Sequence, residues 1–219
     1  SIENVIGSIL AANIIHGDDN ANVLVSGSTD DTLIGYGGDD TYVFDTDNPL
    51  GDDTVDEQTG GGGGIDTLDF SGTTTLAVDV DISTAAAQIV NVNLNLTILG
   101  TVENVNGGSQ GDNITGNAQA NRITGGPGND DLNGGTGDDT YIFADGWGDD
   151  TLNDDGGYDI LDFSAVTRPL VFNLSSVDIR DDAGNTATHT GSAFDTFIAG
   201  SGDDIFNLAD GVSLSGYVD

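Results

Sequence analysis

The feature that most constrains this chain is a nine-residue pattern that occurs twice without interruption over residues 125–142. Each copy reads Gly, Gly, any residue, Gly, any residue, Asp, any residue, a large apolar residue and any residue. The glycines permit backbone angles that residues with a Cβ avoid, and endings such as Thr140-Tyr141-Ile142 have strand-forming side chains. One turn and one short strand per copy predict a solenoid, in which two copies close a coil and coils stack at about 4.8 Å.

Looser copies of the pattern extend over much of the chain and share an acidic sixth position and an apolar eighth position. The acidic residues at the sixth position are Asp31, Asp40, Asp53, Asp66, Asp112, Asp130, Asp139, Asp150, Asp159, Asp195 and Asp204. In this register the first two turns have Ala12 and Asn22 at that position, which predicts that they bind no metal. Ile14 is then the first apolar residue, and His16 is an insertion between repeats.

The aligned carboxylates predict a metal between the turns. Stacked turns bring sixth-position Asp side chains together, and like charges about 4 Å apart repel by roughly 1–4 kcal/mol. A divalent cation removes that cost, and calcium accepts 6–8 oxygen ligands, including the backbone carbonyls that glycine turns expose. The alternative is that the Gly-Asp pairs only form turns. Repetition of many copies in phase favours calcium.

Composition excludes several classes of partner. The chain of 219 residues has 38 acidic and 3 basic residues, no Lys, and a net charge of −35. Binding to nucleic acid needs Lys and Arg to neutralise phosphates, so no nucleic-acid partner is expected. The absence of Cys excludes disulfides and thiolate metal sites, and no apolar run is long enough for a transmembrane segment. Such a charge beside periodic apolar residues predicts a chain that is disordered without metal and folds with it.

A longer repeat lies above the nine-residue one. Asp40-Thr41-Tyr42-Val43-Phe44 recurs as Asp139-Thr140-Tyr141-Ile142-Phe143, and a second pair of segments begins at Asp66 and Asp159. No signal peptide is visible, and the chain looks excised from a longer protein. The predicted domains are 1–101, a first repeat unit with a degenerate start and a following strand segment, 102–193, a better preserved second unit, and 194–219, the truncated start of a third unit.

The nine-residue pattern is absent between Phe70 and Thr101. Apolar residues there alternate with polar ones over residues 90–98, which indicates a half-buried strand with a structural role. The only tryptophan, Trp147, falls in a turn of the second unit. It either contacts a sugar or protein partner at the surface or covers an insertion.

The pattern resembles the RTX (hemolysin-type) calcium-binding repeats, most specifically at residues 35–43, 125–142 and 199–207. This resemblance implies an all-β fold, a right-handed parallel β-roll or β-helix solenoid with calcium in the turns. It also implies export by type I secretion from Gram-negative bacteria and folding outside the cell. The segments shared by the two units also look like the ends of repeat arrays in serralysin-type proteases and alginate epimerases.

The resemblance further implies that backbone carbonyls at positions two and four bind calcium beside the sixth-position Asp. In this chain Tyr36 replaces the glycine at position two of one repeat, so its backbone must adopt a glycine-like angle. The glycines carried over as ligands are Gly38, Gly51, Gly126, Gly128, Gly135, Gly137, Gly146, Gly148, Gly200 and Gly202.

Three functions are compatible with the sequence. The first is a calcium-dependent structural or adhesive module of a large secreted or cell-surface bacterial protein, with calcium, other domains of the parent chain and a carbohydrate or cell-surface molecule as partners. The second is an accessory domain of an extracellular protease or polysaccharide epimerase. The third is an ice-binding β-roll, which the broken ladder at position nine disfavours. No catalytic residues are expected, since there is no HExxH motif and neither His16 nor His189 has an evident nucleophile partner.

Overall fold

Short strands separated by glycine-rich turns stack into a parallel β-solenoid. The structure is a computed structural model that describes residues 4–173, 178–191 and 194–207. A single short 3-10 turn, Thr59–Gly61, accompanies the strands in this part of the chain. The strands are β1 (Asn4–Ile6), β2 (Ile14–His16), β3 (Val23–Val25), β4 (Thr32–Ile34), β5 (Thr41–Val43), β6 (Gly51–Asp56), β7 (Thr67–Asp69), β8 (Asp79–Asp81), β9 (Gln88–Asn91), β10 (Leu94–Leu99), β11 (Asn104–Asn106), β12 (Asn113–Thr115), β13 (Arg122–Thr124), β14 (Asp131–Asn133), β15 (Thr140–Ala144), β16 (Asp149–Asp154), β17 (Ile160–Ala165), β18 (Leu170–Asn173), β19 (Asp178–Asp181), β20 (Thr186–Gly191), β21 (Thr196–Ile198) and β22 (Ile205–Asn207).

One face of the solenoid is a single nine-stranded sheet in the order β1-β3-β5-β7-β11-β13-β15-β17-β21. All of its neighbouring strands are parallel, as in the pairs Leu24↔Tyr42 and Ile123↔Tyr141, and β15 and β17 pair with one register shift after Ile142. Most strands that are adjacent in this sheet are therefore two repeats apart in sequence, whereas three other strands lie between β7 and β11 and between β17 and β21. The sheet also continues across residue 101, where β7 pairs with β11. The division into units 1–101, 102–193 and 194–219 stays a prediction about the repeats.

The opposite face consists of two sheets, because the segment between the two best-preserved repeat blocks adds extra strands. The first sheet has the order β2-β4-β6-β10-β9, and the second has the order β22-β18-β19-β20-β16-β14-β12-β8. Strand β10 extends the first sheet by parallel pairing with β6, whereas β8 begins the second sheet by parallel pairing with β12. The prediction of an all-β parallel roll is confirmed. No helix in the described residues is long and apolar enough to cross a membrane.

The core is a column of side chains, one from each short strand. The central residue of a three-residue strand is buried while its neighbours face outward, as for Leu24, Ile123 and Leu132, which are fully buried. Burial of each such side chain contributes about 1.5–3 kcal/mol. In the second half aromatic rings continue the column, with the Phe143 and Phe163 ring centroids 4.3 Å apart. Trp147 is 2% exposed and packs edge-on against both rings, so it covers the insertion and presents no surface for a sugar.

The expected register of the first turn is wrong by one residue. Ile15, and not Ile14, is the buried residue of β2, because β2 pairs in register with β4 and places Ile15 opposite Leu33. Asn13 therefore occupies the sixth position, and Ala12 precedes it. His16 is the last residue of β2 and not an insertion.

The predicted strand over residues 90–98 is a hairpin of β9 and β10, which pair antiparallel. Val92 lies in the turn between them and is 87% exposed, although it fits the alternation. The reason is local, since the Asn91 side-chain oxygen accepts the N–H of Asn93 at 3.0 Å and so forms an Asx turn. The Asn93 side chain holds this turn against the carbonyl of Thr46 at 2.8 Å.

Candidate metal centre

The sixth-position residues before the nine-stranded sheet form one row along the solenoid. Backbone N–H groups in the row donate to the side chain of the next member, as from Asn121 to Asp139 Oδ1 at 2.7 Å and from Asp139 to Asp159 Oδ1 at 2.9 Å. Asp40 donates in the same way to Asp66 Oδ1 at 2.8 Å. Glu103 is an exception, because its N–H donates to the carbonyl of Asp66 and the Asn121 side chain donates to the carbonyl of Glu103. This first row contains Asn22, Asp40, Asp66, Glu103, Asn121, Asp139, Asp159 and Asp195.

A second row lies at the opposite edge, in the turns before the other face. The backbone N–H of Asp112 donates to Asp130 Oδ1 at 2.8 Å, and the backbone N–H of Asp130 donates to Asp150 Oδ1 at 3.0 Å. Sequence neighbours such as Asp130 and Asp139 therefore belong to different rows. The second row contains Asn13, Asp31 and Asp53 in the first half and Asp112, Asp130 and Asp150 in the second. Asp204 holds the N–H of Leu170 at 2.8 Å in an equivalent contact.

The acidic side chains of both rows are buried with oxygen atoms to spare. Asp31, Asp40, Asp53, Asp66, Asp112, Asp130, Asp139, Asp150 and Asp159 are each at most 2% exposed. The Oδ2 atoms of Asp40, Asp130, Asp139 and Asp159 are buried and meet no hydrogen-bond donor. Because a buried carboxylate oxygen without a partner is costly, these atoms indicate a site for a cation. Asp195 is exposed and Asp204 is half-buried. The acidic side chains are therefore less buried at the C-terminal end of the described residues.

Burial raises the pKa of these carboxyl groups well above the ordinary Asp value, and neighbouring carboxylates add to the shift at several of them. The pKa rises to about 6 at Asp40, Asp53, Asp66, Asp112 and Asp159, to about 7 at Asp130 and Asp139, and to about 8 at Asp150. Two of the three arginines form ion pairs elsewhere, Arg168 with Asp182 and Arg180 with Asp178. A metal ion would therefore supply the positive charge that the rows need.

The glycines at positions two and four allow the turns to stack closely. Positive φ angles of 85–106° occur at Gly38, Gly51, Gly126, Gly135, Gly146 and Gly148. Tyr36 adopts the same region with φ 78°, as the substitution at position two requires. A Cβ at Gly128 would lie 2.4 Å from the carbonyl oxygen of Gln110, and one at Gly137 would lie 1.8 Å from that of Gln119. Carbonyl oxygens of these turns therefore point along the stack towards the next turn.

The last pair of predicted glycine ligands also lies close to backbone. A Cβ at Gly200 would be 2.3 Å from the carbonyl oxygen of Val166, and one at Gly202 would be 2.6 Å from the nitrogen of Pro169. The predicted glycines thus lie close to neighbouring atoms, except Gly146, where a Cβ would have nothing within 4 Å. Whether their carbonyls bind metal stays a prediction.

Comparison with protein families matches the RTX calcium-binding nonapeptide repeat, in four copies, to residues 14–49, 106–141 and 182–212. This chain carries RTX calcium-binding repeats. Repeats of this family bind calcium, so Ca²⁺ is the metal of these turns, and the buried Asp clusters have the oxygen donors to hold it. The matched blocks make up somewhat less than half of the chain. A search of curated proteins finds no match to the chain.

Three acidic residues that lie in or beside the first row were not among the predicted metal ligands. Glu103 occupies a sixth position in the first row and accepts the N–H of Asp66 at 2.8 Å. Glu57 and Asp154 approach the same row from strands of the opposite face. The sequence does contain a signal for Glu57 and Asp154. Each directly follows the ninth residue of a repeat, and the corresponding residues one coil earlier, Gly35 and Gly134, are glycines.

Proposed function

We propose that this chain is a calcium-binding β-roll module of a large secreted or cell-surface bacterial protein. In this role it folds as calcium binds and serves a structural or adhesive purpose. The observation that carries the proposal is the pair of rows of buried carboxylates whose free oxygens meet no donor. RTX repeats are a structural calcium-binding module and not a catalytic one.

The coupling of folding to calcium follows from the charge. The net charge of −35 opposes compaction, and folding buries many of the carboxylates against one another. Each carboxyl whose pKa rises from 3.8 to about 6 or more costs roughly 3 kcal/mol of stability at neutral pH without metal. Eight Asp carboxyls of the two rows have such a raised pKa. Their combined cost is larger than the roughly 5–15 kcal/mol that stabilises a typical domain, so we expect the metal-free fold to be unstable.

The proposed ligands are the sixth-position carboxylates together with turn carbonyls. Neighbouring turns of one row would share an ion, since their sixth-position residues are already joined by hydrogen bonds. The proposed set is Asp31, Asp40, Asp53, Asp66, Asp112, Asp130, Asp139, Asp150, Asp159, Asp195 and Asp204, with the carbonyls of Gly38, Gly51, Gly126, Gly128, Gly135, Gly137, Gly146, Gly148, Gly200 and Gly202.

We place this module outside the cell, because calcium there is abundant enough to fill many sites. The chain has no Cys, so its fold does not depend on disulfides. The histidines have packing roles that fit a structural function. His189 packs against Phe194 with ring centroids 4.6 Å apart, and His16 stacks on Tyr36 at 5.8 Å. Neither arrangement resembles a catalytic pair.

Far-ultraviolet circular dichroism tests the proposal. The chain in excess chelator should give the spectrum of a disordered chain, and millimolar calcium should produce β-structure. Magnesium at the same concentration should substitute poorly, because it requires tight octahedral geometry and retains its waters. A β-rich spectrum that is unchanged by chelator would contradict the proposal. The flanking sequence of the parent protein then separates an adhesive module from an accessory domain of a protease or epimerase.

A further inference from the structure

Two places in the first row have a third buried carboxylate beside the two that the repeats provide. In each place, one oxygen from every member lies within 4.8 Å of the others, and all the side chains are at most 6% exposed. The first cluster is Asp40, Glu57 and Asp66, and the second cluster is Asp139, Asp154 and Asp159.

The third carboxylate of each cluster belongs to a residue whose counterpart one coil earlier is a glycine. Glu57 follows β6 directly and Asp154 ends β16, and both open a repeat. A Cβ at the corresponding Gly35 would lie 2.2 Å from Asp40 Oδ2, and one at Gly134 would lie 2.3 Å from Asp139 Oδ2. Glycine on one side and a carboxylate on the other therefore face the same free oxygen.

A buried tyrosine orients each third carboxylate. The hydroxyl of Tyr42 donates to Glu57 Oε1, and the hydroxyl of Tyr141 donates to Asp154 Oδ2 at 2.8 Å. The hydroxyl of Tyr141 in turn accepts the N–H of Gly134 at 2.6 Å. These tyrosines occupy the eighth position, where Leu or Ile stands in repeats such as those of Leu33, Ile114, Ile123 and Leu132. In the part of the chain that the structure describes, the two repeats with a tyrosine at the eighth position are thus the two with a third carboxylate.

Each cluster also holds two buried oxygens that meet no hydrogen-bond donor. In the first cluster these are Asp40 Oδ2 and Glu57 Oε2, and in the second they are Asp139 Oδ2 and Asp159 Oδ2. In the second row, among the described residues, only Asp130 retains such an atom. Three carboxylates around one space carry a formal charge of −3, so attraction for a cation there grows with the charge of the ion.

We propose that the two clusters form a separate class of cation site, tighter than the other turns and selective for hard cations of high charge. They bind Ca²⁺ and bind a trivalent lanthanide ion more tightly, because three carboxylates neutralise a charge of +3. Glu57 and Asp154 are the residues that set this class apart. The inference rests on the proposed binding of calcium in the turns and adds which sites fill first.

Titration of the full chain with Tb³⁺ tests the inference. Calorimetry should show a tight class of two ions per chain, and their emission should be excited through tyrosine, because Tyr42 and Tyr141 touch the clusters. Glu57→Gln should weaken one tight ion and Asp154→Asn the other, each by at least about tenfold, since even an outer partner of a metal site is worth ~10–100-fold in affinity. Both substitutions preserve an oxygen that accepts the tyrosine hydroxyl.

The matched control is Asp145→Asn, which removes another carboxylate at the opening of a repeat. Asp145 is exposed and accepts the N–H of Thr167 at 2.9 Å, outside both clusters. This variant should keep both tight ions. One uniform class of sites in the unmodified chain, or equal effects of Asp145→Asn and Glu57→Gln, would overturn the inference.

Two further measurements keep the result interpretable. If a carboxylate variant does not fold in saturating calcium, Tyr42→Phe or Tyr141→Phe replaces it, and an unchanged Tb³⁺ affinity at that cluster would refute the assignment. Calcium-induced folding of the unmodified chain is followed in parallel. Folding with calcium but without a tight pair of Tb³⁺ sites refutes this inference alone, whereas the absence of calcium-induced folding refutes the proposed function.

Discussion

Asp139→Asn is expected to weaken calcium binding and, at the same time, to stabilise the metal-free fold. Asparagine fits this position, because Asn121 occupies the preceding place in the same row and its Oδ1 accepts the N–H of Asn117 at 2.7 Å. The Asp139 Oδ1 atom, which accepts the N–H of Asn121, is preserved as an amide oxygen. The substitution therefore removes the charge and leaves the local hydrogen bonds in place.

The structure sets the size of the metal-free effect. Burial, with smaller contributions from the carboxylates of Asp154, Asp159 and Asp138, raises the pKa of Asp139 from 3.8 to about 7. Because the folded-state pKa lies above the unfolded value, stability is intact below about pH 3.8 and is lost as the pH rises towards 7. The loss reaches about 4 kcal/mol at neutral pH, and asparagine does not suffer it. With calcium present, loss of this proposed charged ligand should weaken binding by at least ~10-fold, since even an outer partner of a metal site is worth ~10–100-fold in affinity.

Two midpoints measure these opposite effects at neutral pH. The calcium concentration at half-folding, followed by circular dichroism, should rise in Asp139→Asn. In chelator, the concentration of trimethylamine N-oxide needed to induce folding should fall, since this osmolyte favours burial. The control is Asp138→Asn, because Asp138 is exposed and only accepts the N–H of Tyr158 at 2.8 Å. Equal shifts of the calcium midpoint in both variants would mean that general electrostatics, and not ligation at the sixth position, governs folding.

Three further outcomes are expected. Calcium should shift the fluorescence of Trp147 to shorter wavelength while equimolar magnesium does not, because this side chain is buried only in the folded state; an identical response to both ions would count against calcium-specific folding. The metal-free chain should gain β-structure in circular dichroism as the pH falls from about 8 to 4, since burial raises the pKa of Asp150 to about 8 and acid neutralises such groups; no gain would contradict the burial of these carboxyls. Thermal melting in saturating calcium should show that Gly146→Ala lowers the free energy of unfolding by about 1–2 kcal/mol, because only its positive φ opposes a Cβ. Gly148→Ala should lower it clearly more, because its Cβ would lie 1.4 Å from the carbonyl oxygen of Gly128. Equal costs would mean that the turns do not stack as closely as the structure shows.

The repeat alone was sufficient to predict the main features of this fold. A nine-residue period with one apolar residue per strand determines which side chain faces inward, so Leu132 and Tyr141 are buried as expected. The same period places one Asp per turn on the inner side, and Asp130 and Asp139 are accordingly buried. These features follow from local geometry, because each turn and its strand repeat the conformation of the one before.

Tertiary structure decided which turns become neighbours and what else reaches them. The spacing between members of a row varies, from 18 residues between Asn121 and Asp139 to 37 between Asp66 and Glu103, because insertions loop out and the strands still pair in register. Glu57 joins the first row only because β6 packs on the opposite face and ends beside Asp40 and Asp66. The sequence by itself thus determined the period, the core and the acidic turns. The third carboxylates reach the first row only through contacts between strands of different coils, and the nine-residue pattern does not specify which strands these are.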